Sequence, residues 1–215
     1  MQKLAERKKA LVFAAVFLIV NVVGIFFISI HESKMIDKYL IEEASDTRHD
    51  FNDVLKDYKH SFQIFSEMLS REIENNPDPD QIWDYLKTID ATMLDIEGDT
   101  FDGLYMYYKG RYLYSWDTPY SEYEKTGYVA TERPWYKDAA AGDGEIVFTP
   151  PYMSYANHYI LSTISQLQPD KETVFAYDIK MGNIQQLVRE LGSYDQEQLL
   201  VYDANGTIIG STEEA

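Results

Sequence analysis

The feature that most constrains this chain is an uncharged apolar stretch near its N-terminus. Residues 10–30 form a run of 21 residues without a charged side chain. At about 1.5 Å per residue, a helix of this length crosses a hydrocarbon core of roughly 30 Å. A cleaved signal peptide is the alternative, but its apolar region is shorter, and no small-x-small cleavage site follows Ile30. The sequence therefore predicts an uncleaved transmembrane helix over residues 10–30.

The charges on either side of this span predict its orientation. Four basic residues and a single acid precede it, namely Lys3, Arg7, Lys8, Lys9 and Glu6. Cytoplasmic flanks of membrane helices carry an excess of Lys and Arg, so residues 1–9 are predicted to be cytoplasmic and residues after 30 extracytoplasmic. The rest of the chain agrees, because 15 basic against 35 acidic residues remain there. We therefore expect a protein that crosses the plasma (inner) membrane once within this sequence.

Composition argues against several classes of function. The 215-residue chain has a net charge of −17, which disfavours nucleic acid as a partner. It contains no cysteine, and its four histidines are scattered without ligand spacing, so no metal site is expected. No nucleophile–base pair and no phosphate-cradling loop is recognisable in the sequence. We therefore expect neither a cofactor nor an enzymatic activity.

Residues 31–76 predict a long helical stalk. From 33 to 75 the chain has neither Gly nor Pro, and apolar residues recur every three or four positions. Such a stripe usually packs on the domain that the helix supports. A homodimer seam is the alternative for the membrane-proximal half, because the first stripe residues precede any sheet that they could cover. The stripe consists of Ile36, Leu40, Ala44, Thr47, Phe51, Leu55, Tyr58, Phe62, Phe65 and Leu69.

Residues 77–192 predict an α+β lobe with an antiparallel sheet. Asp78 as N-cap, Pro79 at N1 and Gln81 at N3 predict a second helix with a capping box. Residues 103–116 predict a hairpin with aromatic side chains on both faces, so one face should cover the helices and the other border a cavity. A loop should follow it up to residue 128. Further predicted elements are a short helix at 135–141, strands at 146–149, 158–166 and 173–179, and a helix at 182–191.

Residues 193–215 predict a fresh hairpin that turns at Asn205 and Gly206. Asp203 and Asn205 also suggest a calcium loop, but the later acidic ligands of that pattern are missing, so we prefer the turn. The hairpin is typical of the first strands of a second, membrane-proximal lobe, which the sequence does not complete. We therefore expect part of a receptor that is truncated within that lobe.

The candidate binding cluster lies within residues 128–138. Arg133, Trp135 and Tyr136 place a guanidinium and two large aromatic faces within four residues. Pro134 favours extended backbone at Arg133, where a loop enters a helix. Such a cluster suits a small ligand that carries both a carboxylate and an ammonium. The alternative is that Trp135 and Tyr136 belong to the core and that Arg133 is a surface charge.

The order of these features resembles the double Cache (dCache) extracytoplasmic sensor domains of bacterial chemoreceptors, sensor histidine kinases and diguanylate cyclases. The shared features are the anchor, the long helix, Arg-x-Trp-Tyr, Pro-Tyr, an Asp at a strand end and a restarting strand with Asn-Gly, over roughly residues 33–215. The later Tyr of the motif lies one residue off the family's spacing, which a loop tolerates. The motif of the amino-acid-binding group falls here on Tyr128, Arg133, Trp135, Tyr136, Tyr152 and Asp178.

The resemblance implies a sensor with a PAS-like lobe that is distal to the membrane. Arg133 would pair with an α-carboxylate, and the Trp135 Nε1–H and the Tyr128 hydroxyl would be further donors. Asp178 would face an α-ammonium, since a buried carboxylate needs a partner. Tyr136 and Tyr152 would supply hydroxyl or π contacts.

Several alternatives remain open. Asp178 would otherwise be a helix N-cap or pair with Lys180, and Tyr152 would be plain core. The expected ligand is an L-amino acid. An amine or another carboxylate could use part of the same site, and a membrane-anchored dimerisation scaffold with an empty lobe is the non-binding alternative. The output domain of the receptor stays open.

Overall fold

The computed structural model describes residues 2–98, 101–155, 159–191, 198–203 and 205–212. The chain divides into two compact units, Met1–Asp50 and Phe51–Ala215. Helix α1 (Gln2–Asn75) contributes to both. Residue 158, where one predicted strand begins, and residues 192–197 before the second hairpin lie outside the described residues.

The first unit consists of the N-terminal part of α1. Within the described part of the chain, α1 is the one helix that is long and apolar enough to cross a membrane, with a mean hydropathy of 2.9 in its most apolar window. None of that window is buried within the protein. Its side chains, such as Leu11 and Phe13, are exposed and available to an apolar solvent. Length and composition therefore agree with the predicted span.

In the second unit, helix α2 (Pro79–Glu97) begins where the sequence predicts it. The Asp78 carboxylate accepts hydrogen bonds from the backbone N–H groups of Asp80 at 2.9 Å and Gln81 at 3.2 Å. The capping box forms only in part. In a complete capping box the Gln81 side-chain oxygen would accept a hydrogen bond from the Asp78 backbone N–H. Here it accepts one from the Asn76 side-chain amide.

The sheet of the second unit is antiparallel throughout, in the order β2-β1-β6-β5-β3, with the short β4 also paired to β5. The predicted hairpin is confirmed: Tyr108 pairs with Arg111 across a turn at Lys109 and Gly110, whose φ angles are 48° and 76°. The strands are β1 (Phe101–Tyr108), β2 (Arg111–Tyr114), β3 (Val147–Phe148), β4 (Tyr152–Met153), β5 (Ile160–Leu167) and β6 (Val174–Lys180).

Three further helices surround the sheet: α3 (Tyr120–Thr126), α4 (Pro134–Ala141) and α5 (Met181–Leu191). A 3₁₀ turn, Ala130–Glu132, precedes α4. The sequence predicted a loop where α3 lies. Seven residues are too short to display a helical hydrophobic period, and Tyr123 is the single buried side chain of α3. Gly127, with φ at 73°, ends this helix in the left-handed conformation that glycine adopts without strain.

Strand alternation divides the core of the second unit between the two faces of the sheet. Helices α1 and α2 cover one face, where Phe62, Phe65 and Leu86 are fully buried against residues such as Phe175. Each such side chain stabilises the fold by about 1.5–3 kcal/mol. The other face carries Trp135 of α4 and a cluster of aromatic rings: Tyr105, Tyr112, Tyr114, Tyr123, Tyr128 and Tyr152.

A separate hairpin, β7 (Leu200–Tyr202) and β8 (Ile208–Ser211), packs on α5. The segment between the two strands agrees with the preferred interpretation as a turn rather than a calcium loop. Asp203 Oδ1 accepts hydrogen bonds at 2.8 Å from two backbone N–H groups of this turn. At β8, Gly210 lies so close to Val188 that a Cβ there would stand 2.4 Å from its Cγ2. That this hairpin begins a second lobe stays a prediction.

Candidate ligand-binding site

A cavity lies on the aromatic face of the sheet and encloses about 330 Å³ of space free of atoms, its open mouth included. We call it the site cavity. Its wall is formed by strands β1, β2, β4, β5 and β6, by helices α3 and α4, and by the segments that follow β2, α3 and β4. Five of the six motif residues line it: Tyr128, Arg133, Trp135, Tyr152 and Asp178.

Arg133 enters the cavity from the N-cap position of α4. Its backbone is extended, with φ at −78° and ψ at 153°, as expected for a residue that precedes proline. The guanidinium donates a hydrogen bond of 2.9 Å to the backbone carbonyl of Met153. It also lies 5.6 Å from the ring centre of Tyr152 and 5.5 Å from that of Tyr155. One carbonyl uses only part of a five-donor fork, so Arg133 retains donors for an anion.

Trp135 forms the floor of the cavity. It is 1% exposed and stands edge-to-face with Tyr105, with 5.0 Å between ring centres. Its Nε1–H points to the Tyr128 hydroxyl at 3.4 Å. Burial raises the pKa of Tyr128 to about 12, so this hydroxyl keeps its proton and can donate to a ligand. Ser165 holds the Trp135 backbone by donating to its carbonyl at 2.8 Å.

Asp178, on β6, lines the same cavity and is 8% exposed. Its Oδ1 accepts hydrogen bonds from Tyr105 at 2.5 Å and from Thr163 at 2.6 Å. Burial raises the pKa of Asp178 to about 7, and the hydrogen bonds from Thr163 and Tyr105 oppose that rise only in part. Lys180 pairs with Asp102 at 3.4 Å, so the alternative pairing of Asp178 with Lys180 does not form.

Tyr152 joins the polar network around Asp178 from β4. Its hydroxyl lies 2.6 Å from Thr163 Oγ1 and 3.4 Å from the Tyr105 hydroxyl. Because Thr163 donates its own proton to Asp178, the Tyr152 hydroxyl must be the donor to Thr163. Burial raises the pKa of Tyr152, which keeps that proton in place. Tyr152 is therefore part of a directed hydrogen-bond chain as well as of the cavity wall.

The structure does not bring Tyr136 to the cavity, in contrast to the sequence expectation. Adjacent positions of a helix point about 100° apart, so Trp135 and Tyr136 cannot face the same space. Tyr136 packs edge-to-face on Tyr107, with 5.3 Å between ring centres, outside the residues that line the cavity. Its contact with the motif is the 5.8 Å ring pair with Trp135.

Sequence reasoning missed Tyr105 and Thr163, the two donors to Asp178. A usable signal existed for Thr163. The turn at 169–171 indicates that Leu167 pairs with Val174, and in an antiparallel pair with that register Thr163 lies opposite Asp178. No comparable signal existed for Tyr105, because β1 neighbours β6 across a large sequence separation. The expectation that one aromatic face of the hairpin at 103–116 borders a cavity agrees with the positions of Tyr112 and Trp116, whereas Tyr123 and Tyr155 of the same wall were missed.

The electrostatics of the cavity are simple. Arg133 is the one cationic and Asp178 the one anionic side chain among its lining residues. No ion pair joins the two in the described structure, so each is available to a ligand group of opposite charge. Among the described residues, no group of three His, Cys, Asp or Glu side chains could hold a metal ion. The arrangement thus places a guanidinium and a carboxyl group in the wall of one cavity, where each can pair with a group of opposite charge.

Comparison with known proteins identifies relatives in sequence and in fold. No family model matches the chain. Over 99% of its length it is 23% identical to the methyl-accepting chemotaxis protein McpA of Bacillus subtilis, of which it spans 32%, about a third. The ligand-binding domain of the Pseudomonas fluorescens chemoreceptor CtaA, in complex with L-alanine, superposes with a TM-score of 0.59 at 19% identity, over 81% of this chain and 71% of that one.

A second solved structure has the same fold. It is the ligand-binding domain of the Campylobacter jejuni chemoreceptor Tlp3, in complex with 4-methylisoleucine. Its TM-score is 0.55 at 20% identity, over 78% of this chain and 67% of that one. These relatives are chemotaxis proteins and sensor domains, in agreement with the expected absence of an enzyme in this region. The chain therefore has the fold of chemoreceptor ligand-binding domains, and its predicted resemblance to the double Cache sensors is confirmed.

Proposed function

We propose that the region after the membrane span is the extracytoplasmic sensing domain of a bacterial chemotaxis receptor, and that it binds an L-amino acid in the site cavity. One observation carries this proposal. A guanidinium and a carboxylate line the same small aromatic cavity without pairing with each other. A buried charge is costly unless it is paired, and a zwitterionic ligand supplies both missing partners at once.

The carboxylate end of the site is built by Arg133, Trp135 and Tyr128. A guanidinium fork accepts two carboxylate oxygens in parallel hydrogen bonds, a geometry that lysine cannot reproduce. The Trp135 Nε1–H donates to the Tyr128 hydroxyl at 3.4 Å, which leaves the proton of that hydroxyl for a bound carboxylate oxygen. The Met153 carbonyl holds the guanidinium in place before the ligand arrives.

The ammonium end is Asp178. Both of its hydrogen bonds fall on Oδ1, which leaves Oδ2 to meet the ligand. An ammonium next to this oxygen would favour the ionised carboxylate and lower its pKa. Tyr152 borders the same end and offers its ring face. Tyr136 acts indirectly, because it packs on Tyr107 and Trp135 outside the cavity.

The relatives support the ligand class. The CtaA and Tlp3 domains were solved with L-alanine and with 4-methylisoleucine, and both ligands carry the two charged groups that this cavity can pair. McpA is named as a chemotaxis protein. An amine or a simple carboxylate would satisfy only one of Arg133 and Asp178, and would leave the other charge unpaired at a cost.

Topology and signal transfer follow from the same proposal. Residues 1–9 would be cytoplasmic, 10–30 would span the membrane, 31–76 would form the stalk, and 77–192 the membrane-distal lobe. Ligand-induced closure of the lobe would shift α1, which packs on the sheet through Phe62 and Phe65 and continues into the membrane span. Residues 193–215 would begin the membrane-proximal lobe.

We further propose that the receptor is a homodimer joined through the membrane-proximal part of α1. Met35, Ile36, Tyr39 and Leu40 are 60%, 56%, 40% and 55% exposed. Their spacing of one, three and four residues places them on one side of the helix. A second copy of the same stripe would bury this apolar surface in the manner of a coiled coil.

Calorimetric titration of the full 215-residue chain in lipid nanodiscs tests the ligand proposal. Titrating the common L-amino acids should reveal at least one that binds. Replacement of Arg133 by Ala should abolish that binding, whereas Lys137→Ala, an exposed base on the same helix, should leave it unchanged. Unaltered affinity in Arg133→Ala would assign the guanidinium to packing, and an inert panel would favour the scaffold.

A further inference from the structure

A second cavity lies next to the site cavity and encloses about 540 Å³ of space free of atoms, its open mouth included. It is bordered by the β1–β2 turn at Gly110, by α3 and by the 3₁₀ turn before α4. Three rings, those of Tyr112, Tyr123 and Tyr128, line both cavities and separate them. The motif residues Arg133 and Asp178 do not line this second cavity.

The lining of the second cavity is largely aromatic, although two of its rings are themselves buried: Tyr112 is 7% and Tyr123 5% exposed. Five tyrosines line it, and one of them, Tyr120, is 43% exposed. Val129 at the same rim is 45% exposed. Gly110 leaves the turn side open, because a Cβ at this position would meet no described atom within 4 Å. The result is a concave surface with tyrosine side chains in its wall and an exposed aromatic ring at its rim.

The charge of the second cavity has one sign. Glu124 is the one charged side chain among its lining residues, and it has no ion pair in the described structure. The nearby bases are engaged elsewhere: Lys125 with Glu122 at 2.9 Å, and Arg111 with Asp80 at 2.9 Å. The chain also carries a net charge of −17, which draws cations to its surface.

We propose that the second cavity binds an organic ammonium ion, with Glu124 as its counter-ion and the tyrosine rings as its walls. Tyrosine faces attract cations through the negative face of the ring quadrupole. A substituted ammonium combines this attraction with the apolar contact that Tyr120 and Val129 offer at the rim. An anion would meet only Glu124, and the site lacks any base that would hold it.

Choline is a suitable probe, because 3,3-dimethylbutan-1-ol has the same shape without the charge. In calorimetric titration of the full chain in nanodiscs, choline should bind saturably, and the uncharged alcohol roughly tenfold more weakly or not at all. Glu124→Gln keeps the volume and removes the charge, so it should weaken choline roughly fivefold. Glu132→Gln, an exposed carboxylate on the adjacent 3₁₀ turn that does not line the cavity, is the matched control and should have no effect.

The site cavity also holds a carboxylate, so Asp178→Asn separates the two locations. Choline affinity should be the same in Asp178→Asn as in the unmodified chain, whatever that change does to amino-acid binding. Three results would overturn the second site: no saturable choline binding at millimolar concentration, equal affinity for the alcohol, or loss of choline binding in Asp178→Asn with Glu124→Gln unaffected.

Discussion

Thr163 stands directly opposite Asp178 in the β5–β6 ladder, and its hydroxyl donates a 2.6 Å hydrogen bond to the buried carboxylate. Tyr105 donates to the same oxygen from the neighbouring strand β1. Three strands thus fix the position of one carboxylate. Asp178 is held in place before any ligand arrives, so binding does not require the site to be ordered first.

Replacing Thr163 by Val should weaken amino-acid binding at neutral pH by roughly tenfold. Valine keeps the shape but removes a donor to a charged acceptor, an interaction of about 1.5 kcal/mol or more. The ionised form of Asp178 loses support, so the pKa of Asp178 should rise further. Calorimetry at pH 7 measures the effect. Thr92→Val, on the exposed surface of α2, is the control, and equal affinities in the two variants would contradict the role of Thr163.

Amino-acid affinity should increase as the pH rises through about 7. Burial raises the pKa of Asp178 to about 7, and only the ionised carboxylate attracts an ammonium. Below that pKa, the affinity should fall by up to about tenfold per pH unit, because binding then requires a proton to leave. Calorimetric titrations between pH 5.5 and about 8 would reveal the trend. Equal affinities across this range would mean that Asp178 does not meet the ammonium.

The free energy of unfolding of the ligand-free chain should decrease as the pH rises, whereas the amino-acid affinity should increase. The pKa of Asp178 is about 7 in the folded state against an ordinary value of 3.8, so the unfolded chain releases this proton first. Between these values the folded state holds the extra proton, and the free energy of unfolding therefore falls as the pH rises. At about 1.4 kcal/mol per pKa unit, the loss approaches 4 kcal/mol by pH 7.

Asp178→Asn should remove this contribution. Other carboxylates also titrate in this range, so the informative quantity is the difference in the free energy of unfolding between Asp178→Asn and the unmodified chain. Denaturant unfolding at about pH 4 and about pH 7, close to the unfolded and folded pKa values of Asp178, gives that difference. The variant should gain stability relative to the unmodified chain at the higher pH, and an identical pH slope in both would be incompatible with a raised pKa.

Gly210→Ala should destabilise the packing of the β7–β8 hairpin on α5 by about 1–3 kcal/mol. The added Cβ would lie 2.4 Å from Val188 Cγ2, and Val188 is fully buried. Thermal unfolding measures the effect, and Val188→Ala in the same chain should relieve it. Gly182→Ala, whose Cβ meets nothing within 4 Å, is the control. Additive effects of the Gly210 and Val188 changes would contradict the contact.

Local signals made much of the fold predictable from the sequence. The hairpin was predictable because Lys109 and Gly110 terminate two runs of alternating side chains, and α2 because Asp78 and Pro79 mark a helix start. Because side chains alternate along a strand, Asp178 is expected on the same face of the sheet as Val174 and Ala176. Helix α3 was not predictable in this way, since its stability depends on the burial of Tyr123 against Tyr112 and Tyr114 of β2, a contact that no pattern within the helix itself encodes.

The site was predictable only as far as the motif extends. The motif named Trp135 and Tyr136 together, but helix geometry sends one into the cavity and the other towards Tyr107. Tyr105 was out of reach because strand order brings β1 beside β6, and no local pattern encodes that order. The second cavity has no motif, and it arises from the way α3 and the β1–β2 turn meet.

The central claim is that one cavity pairs both charges of an amino acid, and matched analogues test it most directly. Once the tightest-binding L-amino acid is known, its decarboxylated amine and its deaminated acid would be titrated into the same chain in nanodiscs. Each analogue should bind at least about tenfold more weakly than the amino acid, because Arg133 or Asp178 is left without a partner. Equal binding of either analogue would contradict it.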